Sequence, residues 1–155
     1  MTWLLLAAGA GLLLWQGRGL LDFQQSLQIK IVAFRVHRVD ITGGRVILAL
    51  RVALDNPTPT VVRITEPYVE VYEGDSLLAN SIPLDKVYEI KARARTELNE
   101  TTLEVSALKL IGTLLQLPQL LKQYQQHGKI GKTLRVRVRT TANGIPATTE
   151  QTLAV

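Results

Sequence analysis

The chain reads as mainly β: an antiparallel, immunoglobulin/fibronectin-like sandwich of seven strands, with one late helix and an apolar helix at the N-terminus. Three observations predict this. Apolar residues recur with period two from Leu27 to the C-terminus. Turn signals punctuate that pattern at Thr42-Gly43-Gly44, Asn56-Pro57, Glu73-Gly74-Asp75 and Asn143-Gly144. One stretch, Ser106 to His127, changes to three- and four-residue steps.

The leader comes first. Trp3, Leu4, Leu5, Leu6, Ala7, Ala8, Gly9, Ala10, Gly11, Leu12, Leu13, Leu14 and Trp15 form an uncharged apolar run. As a helix that run reaches about 20 Å, short of a hydrocarbon core of about 30 Å. Continuing through Leu20 and Leu21 brings it to spanning length if Arg18 snorkels. Trp3 and Trp15 suit the membrane interface. No Lys or Arg precedes the run, and no small-residue cleavage site follows it, which argues against a removed signal peptide. The reading is therefore a membrane-inserted helix over 1–21, a linker over 22–28 and a β-sandwich over 29–155. Membrane lipid is the expected partner, and the expected location is membrane-associated through a single N-terminal anchor, on either side. Burial of the same helix in a protein assembly is the alternative.

The strands follow in order. Leu27, Ile29 and Ile31 alternate with Gln28 and Lys30. The phase shifts near Val32 to Phe34, which predicts a bulge. Val46, Leu48, Leu50, Val52 and Leu54 fill one face of the clearest strand, and Arg45, Ile47, Ala49, Arg51 and Ala53 fill the other. Pro57 and Pro59 cannot donate to a ladder and end it. Val61 to Tyr72 is extended again, with Val69 and Val71 opposed to Tyr68, Glu70 and Tyr72. Leu77 to Ile82 returns from the hairpin at Gly74. Val87 to Leu98 alternates as one strand, and Thr101 to Val105 extends it or pairs with it. Leu134, Val136, Val138 and Thr140 oppose Arg135, Arg137 and Arg139. Asn143-Gly144 turns the chain into a last strand from Pro146 to Leu153. Within the leucine-rich segment, Pro118 predicts a kink or a second short helix, and Gly128 a stop.

The residue inventory limits the chemistry. There are no cysteines, so disulfides, thiolate metal sites and cysteine nucleophiles are excluded. His37 and His127 lie far apart and lack companions at metal-ligand spacing. No Gly-rich phosphate loop and no nucleophile elbow is present. Glu66, Glu70 and Glu73 form one candidate acidic cluster, and Glu97, Glu100 and Glu104 another. Acid–base work needs a cleft and a raised pKa, which an outer strand face does not offer. No catalytic residue, metal, cofactor or small-molecule substrate is expected.

Net charge is +5, and aromatic residues make up 5% of the chain. The charge favours acidic partners, but so few aromatics disfavour nucleic acid. The basic residues are patterned. Arg135, Arg137 and Arg139 share one strand face, and Arg93 and Arg95 share another. If their strands are neighbours, the outer face becomes a cationic sheet suited to anionic headgroups or an acidic protein.

The order of these features resembles the late-embryogenesis-abundant group 2 family, the water-stress and hypersensitive-response domain. The likeness runs from Ile29 to Val155. It rests on Val36-His37-Arg38-Val39-Asp40 and on the alternating strand that ends in Asn56-Pro57. It also rests on the hairpin Tyr72-Glu73-Gly74-Asp75, and on Lys91, Arg93 and Arg95 leading to Thr101, Val105 and a helix. The resemblance implies a sandwich without catalytic residues, often membrane-anchored, with a role in stress protection or lipid handling. Asn56, Pro57 and Gly74 would be its structural motif positions. Two other roles fit the same sequence: a structural component of a virion or other large assembly, and a lipid-binding module.

Overall fold

The computed structural model describes residues 27–112 and 116–155. It is mainly β, with two antiparallel sheets packed face to face. The first sheet holds β1 (Gln28–Asp40), β2 (Arg45–Asn56), β7 (Ala94–Glu97) and β8 (Thr101–Ser106). β2 is its centre: β1 pairs along one edge, while β7 and β8 share the other. The second sheet holds β3 (Val62–Thr65), β4 (Tyr68–Glu73), β5 (Ser76–Asn80), β6 (Val87–Ile90), β9 (Thr133–Ala142) and β10 (Ile145–Ala154). Here β9 is central, flanked by β10 on one side and by β4 and β3 on the other.

Among the described residues the strands number ten rather than seven, and the extra ones have local causes. Pro67 has no amide hydrogen, so the stretch from Val61 to Tyr72 divides into β3 and β4. The stretch from Val87 to Leu98 also divides, because the chain crosses between sheets at Lys91 to Arg93. Arg93 takes a left-handed φ of 52° there, and its amide donates to the Thr58 carbonyl. β8 pairs with β2 instead of extending β7. The bulge predicted near Val32 is present as a register shift between Ile31 and Ala33, and a second shift lies between Val36 and Arg38.

The core is what period two demands. Val46, Leu48, Leu50, Val52 and Leu54 face Val69, Val71, Leu134, Val136 and Val138, all 5% exposed or less. Two helices among the described residues pack against this core. α1 (Ala107–Ile111) and α2 (Leu117–His127) contribute Ala107, Leu110, Ile111 and Leu120 to the core. Gly112 ends α1 at a φ of 72°, so the leucine-rich segment is two helices, with Pro118 in the first turn of the second. Gly128 stops α2 as expected, its amide donating to the Tyr124 carbonyl.

No helix among the described residues is long and apolar enough to cross a membrane. α2, with 11 residues, reaches about 17 Å against a hydrocarbon core of about 30 Å. That finding sets aside the expected membrane location through a single N-terminal anchor. The anchor positions Trp3, Leu4, Leu5, Leu6, Leu12, Leu13, Leu14 and Trp15, the N-terminal apolar helix and residues 22–26 of the expected linker lie outside the described residues; of that linker, Leu27 is buried in the core and Gln28 opens β1.

Candidate functional site: an arginine, tyrosine and glutamate lattice on the second sheet

Alternation puts Arg135, Arg137 and Arg139 on the outer face of β9, opposite to buried Leu134, Val136 and Val138. Strand order then decides their neighbours. On β4, Tyr72 stands beside Arg135, Glu70 beside Arg137 and Tyr68 beside Arg139. On β10, Thr152, Glu150 and Thr148 stand beside the same three arginines. Three strands thus present a lattice whose middle row carries all the positive charge.

Every arginine in it has carboxylate and aromatic partners. Arg137 Nε donates to Glu150 Oε2 at 2.8 Å. Arg135 lies 3.5 Å from both Glu150 and Asp75 and donates to the Gly74 carbonyl at 2.9 Å. Arg139 pairs with Glu70, whose side chain is only 8% exposed. Arg135 and Arg137 also cover the Tyr72 ring, at 5.0 and 5.2 Å from its centre, and Arg139 covers Tyr68 at 5.4 Å. Glu70 keeps its second carboxylate oxygen buried without a hydrogen-bond partner among the described residues. The pair with Arg139 is therefore what offsets its burial.

The electrostatics agree with this geometry. The Arg137 guanidinium, hydrogen-bonded to Glu150, holds that carboxyl below its ordinary value, and the same bond raises Arg137. Three arginines meet Glu70, Glu150 and Asp75, so the lattice is balanced in charge. It is not an open cationic plate.

The remaining predicted positions fall elsewhere. Arg93 and Arg95 belong to the other sheet and its entry turn, beside Asp55 and Pro57 in a cleft of about 300 Å³. Arg95 lies 3.9 Å from Asp55 and 3.5 Å from Glu97. The two acidic clusters do not form. Glu66 accepts from Tyr88, Glu70 pairs with Arg139, and Glu73 with Lys132. Glu97, Glu100 and Glu104 pair with Arg95, Arg35 and Arg45. Among the described residues no three His, Asp or Glu side chains gather around a metal-sized site.

Asn56 is a structural hub. Only 2% exposed, it donates through Nδ2 to the carbonyls of Thr60, Ile90 and Lys91 at 2.8, 3.2 and 3.0 Å. Its Oδ1 accepts from the Thr58 amide at 3.1 Å and from the Thr58 hydroxyl at 2.6 Å. The side chain thereby ties the end of β2 to the chain's crossing between sheets. Pro57 is exposed in the same turn, and Gly74 takes the left-handed φ of 57° that the β4–β5 hairpin needs.

A second surface feature was not read from sequence. Between β5 and β6, Ile82 and Leu84 are 80% and 56% exposed, and Val87 opens β6 at 58%. Leu84 flanks a cleft of about 480 Å³ that also touches Tyr68, Arg139 and Pro146. The apolar loop therefore borders the lattice.

No protein-family model matches the chain. No curated protein sequence matches it either. Among solved structures it is similar to a Bordetella pertussis protein provisionally named ApaA. That likeness has 12% identity and a TM-score of 0.48, and covers 83% of this chain and 93% of that one. It is similar to an Archaeoglobus fulgidus protein at 9% identity and a TM-score of 0.39, over 84% and 95% of the two chains. It is also similar to the exo-chitosanase CsxA of Amycolatopsis orientalis at 8% identity and a TM-score of 0.46. That match covers 84% of this chain but 13% of the enzyme. At such identities no activity, substrate or partner carries over.

Proposed function

We propose that this chain is a non-enzymatic interaction domain that recognises another protein through the outer face of β4, β9 and β10. The observation that carries this reading is the lattice of Tyr68, Tyr72, Arg135, Arg137 and Arg139, balanced by Glu70, Glu150 and Asp75. Tyrosine and arginine are enriched among the few residues that carry most of the binding energy at protein interfaces. Here their side chains are already fixed by stacking and ion pairing, so less conformational entropy is lost on binding. The apolar Ile82 to Leu84 loop beside the lattice adds area of the kind that exposed patches contribute to interfaces. The same charge balance speaks against an anionic lipid or polyphosphate as ligand, because those need uncompensated cations.

Of the roles expected from sequence, a building block in a larger assembly suits this reading best. A protective domain of the late-embryogenesis-abundant group 2 type also suits it, with Asn56 in the place that the resemblance assigns. A lipid-binding module has less support, since the space between the sheets is filled by Leu48, Leu50, Leu54, Leu103 and Leu134.

Vesicle co-sedimentation tests the choice. The full chain and its Arg135→Ser/Arg137→Ser/Arg139→Ser variant are compared on vesicles of mixed zwitterionic and anionic lipid. We expect the two to sediment alike at every salt concentration. A variant that loses the anionic-lipid component of binding would return the face to lipid.

A further inference from the structure

We propose that the outer edge of β10, which no strand among the described residues covers, pairs with β10 of a second copy of this chain, antiparallel about a two-fold axis at Thr149. The contact lies along the rim of the second sheet, at the border of the protein-recognising face.

The other sheet edges carry features that blunt pairing. β1 is broken by two register shifts and carries Lys30, Arg35 and Arg38. β5, β6 and β7 are only 5, 4 and 4 residues long, and β8, with 6, carries Glu104. β10 differs: it pairs with β9 over 10 residues without a shift, and its one charge is Glu150. Past Pro146, which lacks an amide hydrogen, the edge is an unbroken run with one charge, of the kind native sheets otherwise avoid.

The geometry says which backbone groups are free. Asn143 and Gly144 have φ of 49° and 82°, so they form a two-residue turn closed by a hydrogen-bonded pair, Ala142 and Ile145. Residues two apart then alternate in direction. The odd residues of β10 bond to β9. The amides and carbonyls of Thr148, Glu150, Thr152 and Ala154 face outward, with the Pro146 carbonyl. A cleft of about 600 Å³ between Leu27 to Lys30 and Pro146 to Thr149 leaves the first half of that edge open.

The sequence of β10 is self-complementary about Thr149. In that register Thr149 meets Thr149 of the second copy, and Ile145 meets Leu153. Thr–Thr and apolar cross-strand pairs both stabilise a ladder. Thr148 meets Glu150, which avoids the opposition of two Glu150 side chains that a one-residue offset would force. It also sets the second copy's Glu150 two strands from Arg139, about 9.6 Å between backbones, within joint reach of two long side chains. Arg139 is 49% exposed on that side chain and stands beside Thr148. Arg139, already paired with Glu70, thereby also comes within reach of the second copy's Glu150.

Cysteine cross-linking of the full chain tests this, since the chain has no cysteine of its own. In the proposed register the two copies of position 149 form a non-hydrogen-bonded pair about 4.5 Å apart, inside the range a disulfide spans. The two copies of position 152 lie six residues out of register, about 20 Å apart. Both residues are at least partly exposed, so neither substitution disturbs the core. Under mild oxidation Thr149→Cys is expected to give a covalent dimer, and Thr152→Cys about tenfold less, because 20 Å is beyond a disulfide's reach. Equal yields from the two variants, or no dimer from Thr149→Cys, would overturn the proposal. Either result leaves the vesicle comparison above unaffected.

Discussion

Replacing Asn56 with alanine removes the side chain that holds three strand ends together. Its two amide hydrogens serve the carbonyls of Thr60, Ile90 and Lys91, and its oxygen serves both donors of Thr58. These are five hydrogen bonds, with one amide hydrogen shared between two carbonyls; at about 1 kcal/mol net each, the gross loss is about 4–5 kcal/mol. Water can reach the partly exposed Thr58 and the exposed Thr60 and Lys91 once the side chain is gone, but not the buried Ile90 carbonyl. The expected net cost is therefore about 2–3 kcal/mol. Urea unfolding followed by far-ultraviolet circular dichroism measures it. Asn56→Asp adds a sign test. A carboxylate facing carbonyls in a buried site has its folded pKa raised above the ordinary aspartate value of about 3.9. Its penalty is smallest below that value and grows as pH rises through the folded pKa. The aspartate variant should thus weaken between about pH 4 and pH 7, relative to Asn56→Ala. A cost below about 1 kcal/mol for alanine, or an aspartate variant indifferent to pH, would refute the hub.

Three further outcomes follow from the same geometry. Gly74→Ala puts a side chain at a φ of 57° with open space around it, so the cost is strain alone, about 1 kcal/mol by urea unfolding. Leu48→Ala removes a side chain with 0% exposure from between the sheets and should cost about 2–5 kcal/mol by the same measurement. Glu150 has its folded pKa lowered, first by its hydrogen bond from Arg137. Its contribution is therefore complete above the ordinary value of 4.5 and is lost as pH falls through the lower folded value. The stability difference between the wild type and Glu150→Gln should be largest near neutrality and vanish in acid; a difference that persists at low pH would count against the pair.

Period two made the elements legible, because one face of nearly every strand is buried. It placed Val46 to Leu54 and Leu134 to Thr140 correctly, and it put three arginines on one face. It could not show where the chain changes sheet. The alternation of Glu89, Lys91, Arg93 and Arg95 runs straight through the crossing, and arginine gives no sign of a left-handed φ. Gly112 passed unnoticed inside a leucine-rich run, so two helices read as one segment broken only at Pro118. The site was legible by half. Which strands flank β9 is set by contacts far apart in sequence, such as Glu70 with Arg139 and Glu150 with Arg137. Those partners turn what reads as a cationic row into a balanced lattice.

The most direct test places a photo-reactive benzoylphenylalanine at Tyr72 in the lattice, and separately at Arg51 on the exposed face of the first sheet, in the native host. A discrete adduct with another protein from position 72, absent from position 51, is the result expected. Adducts from both positions alike, or with lipid alone, would contradict the assignment of this face to protein recognition.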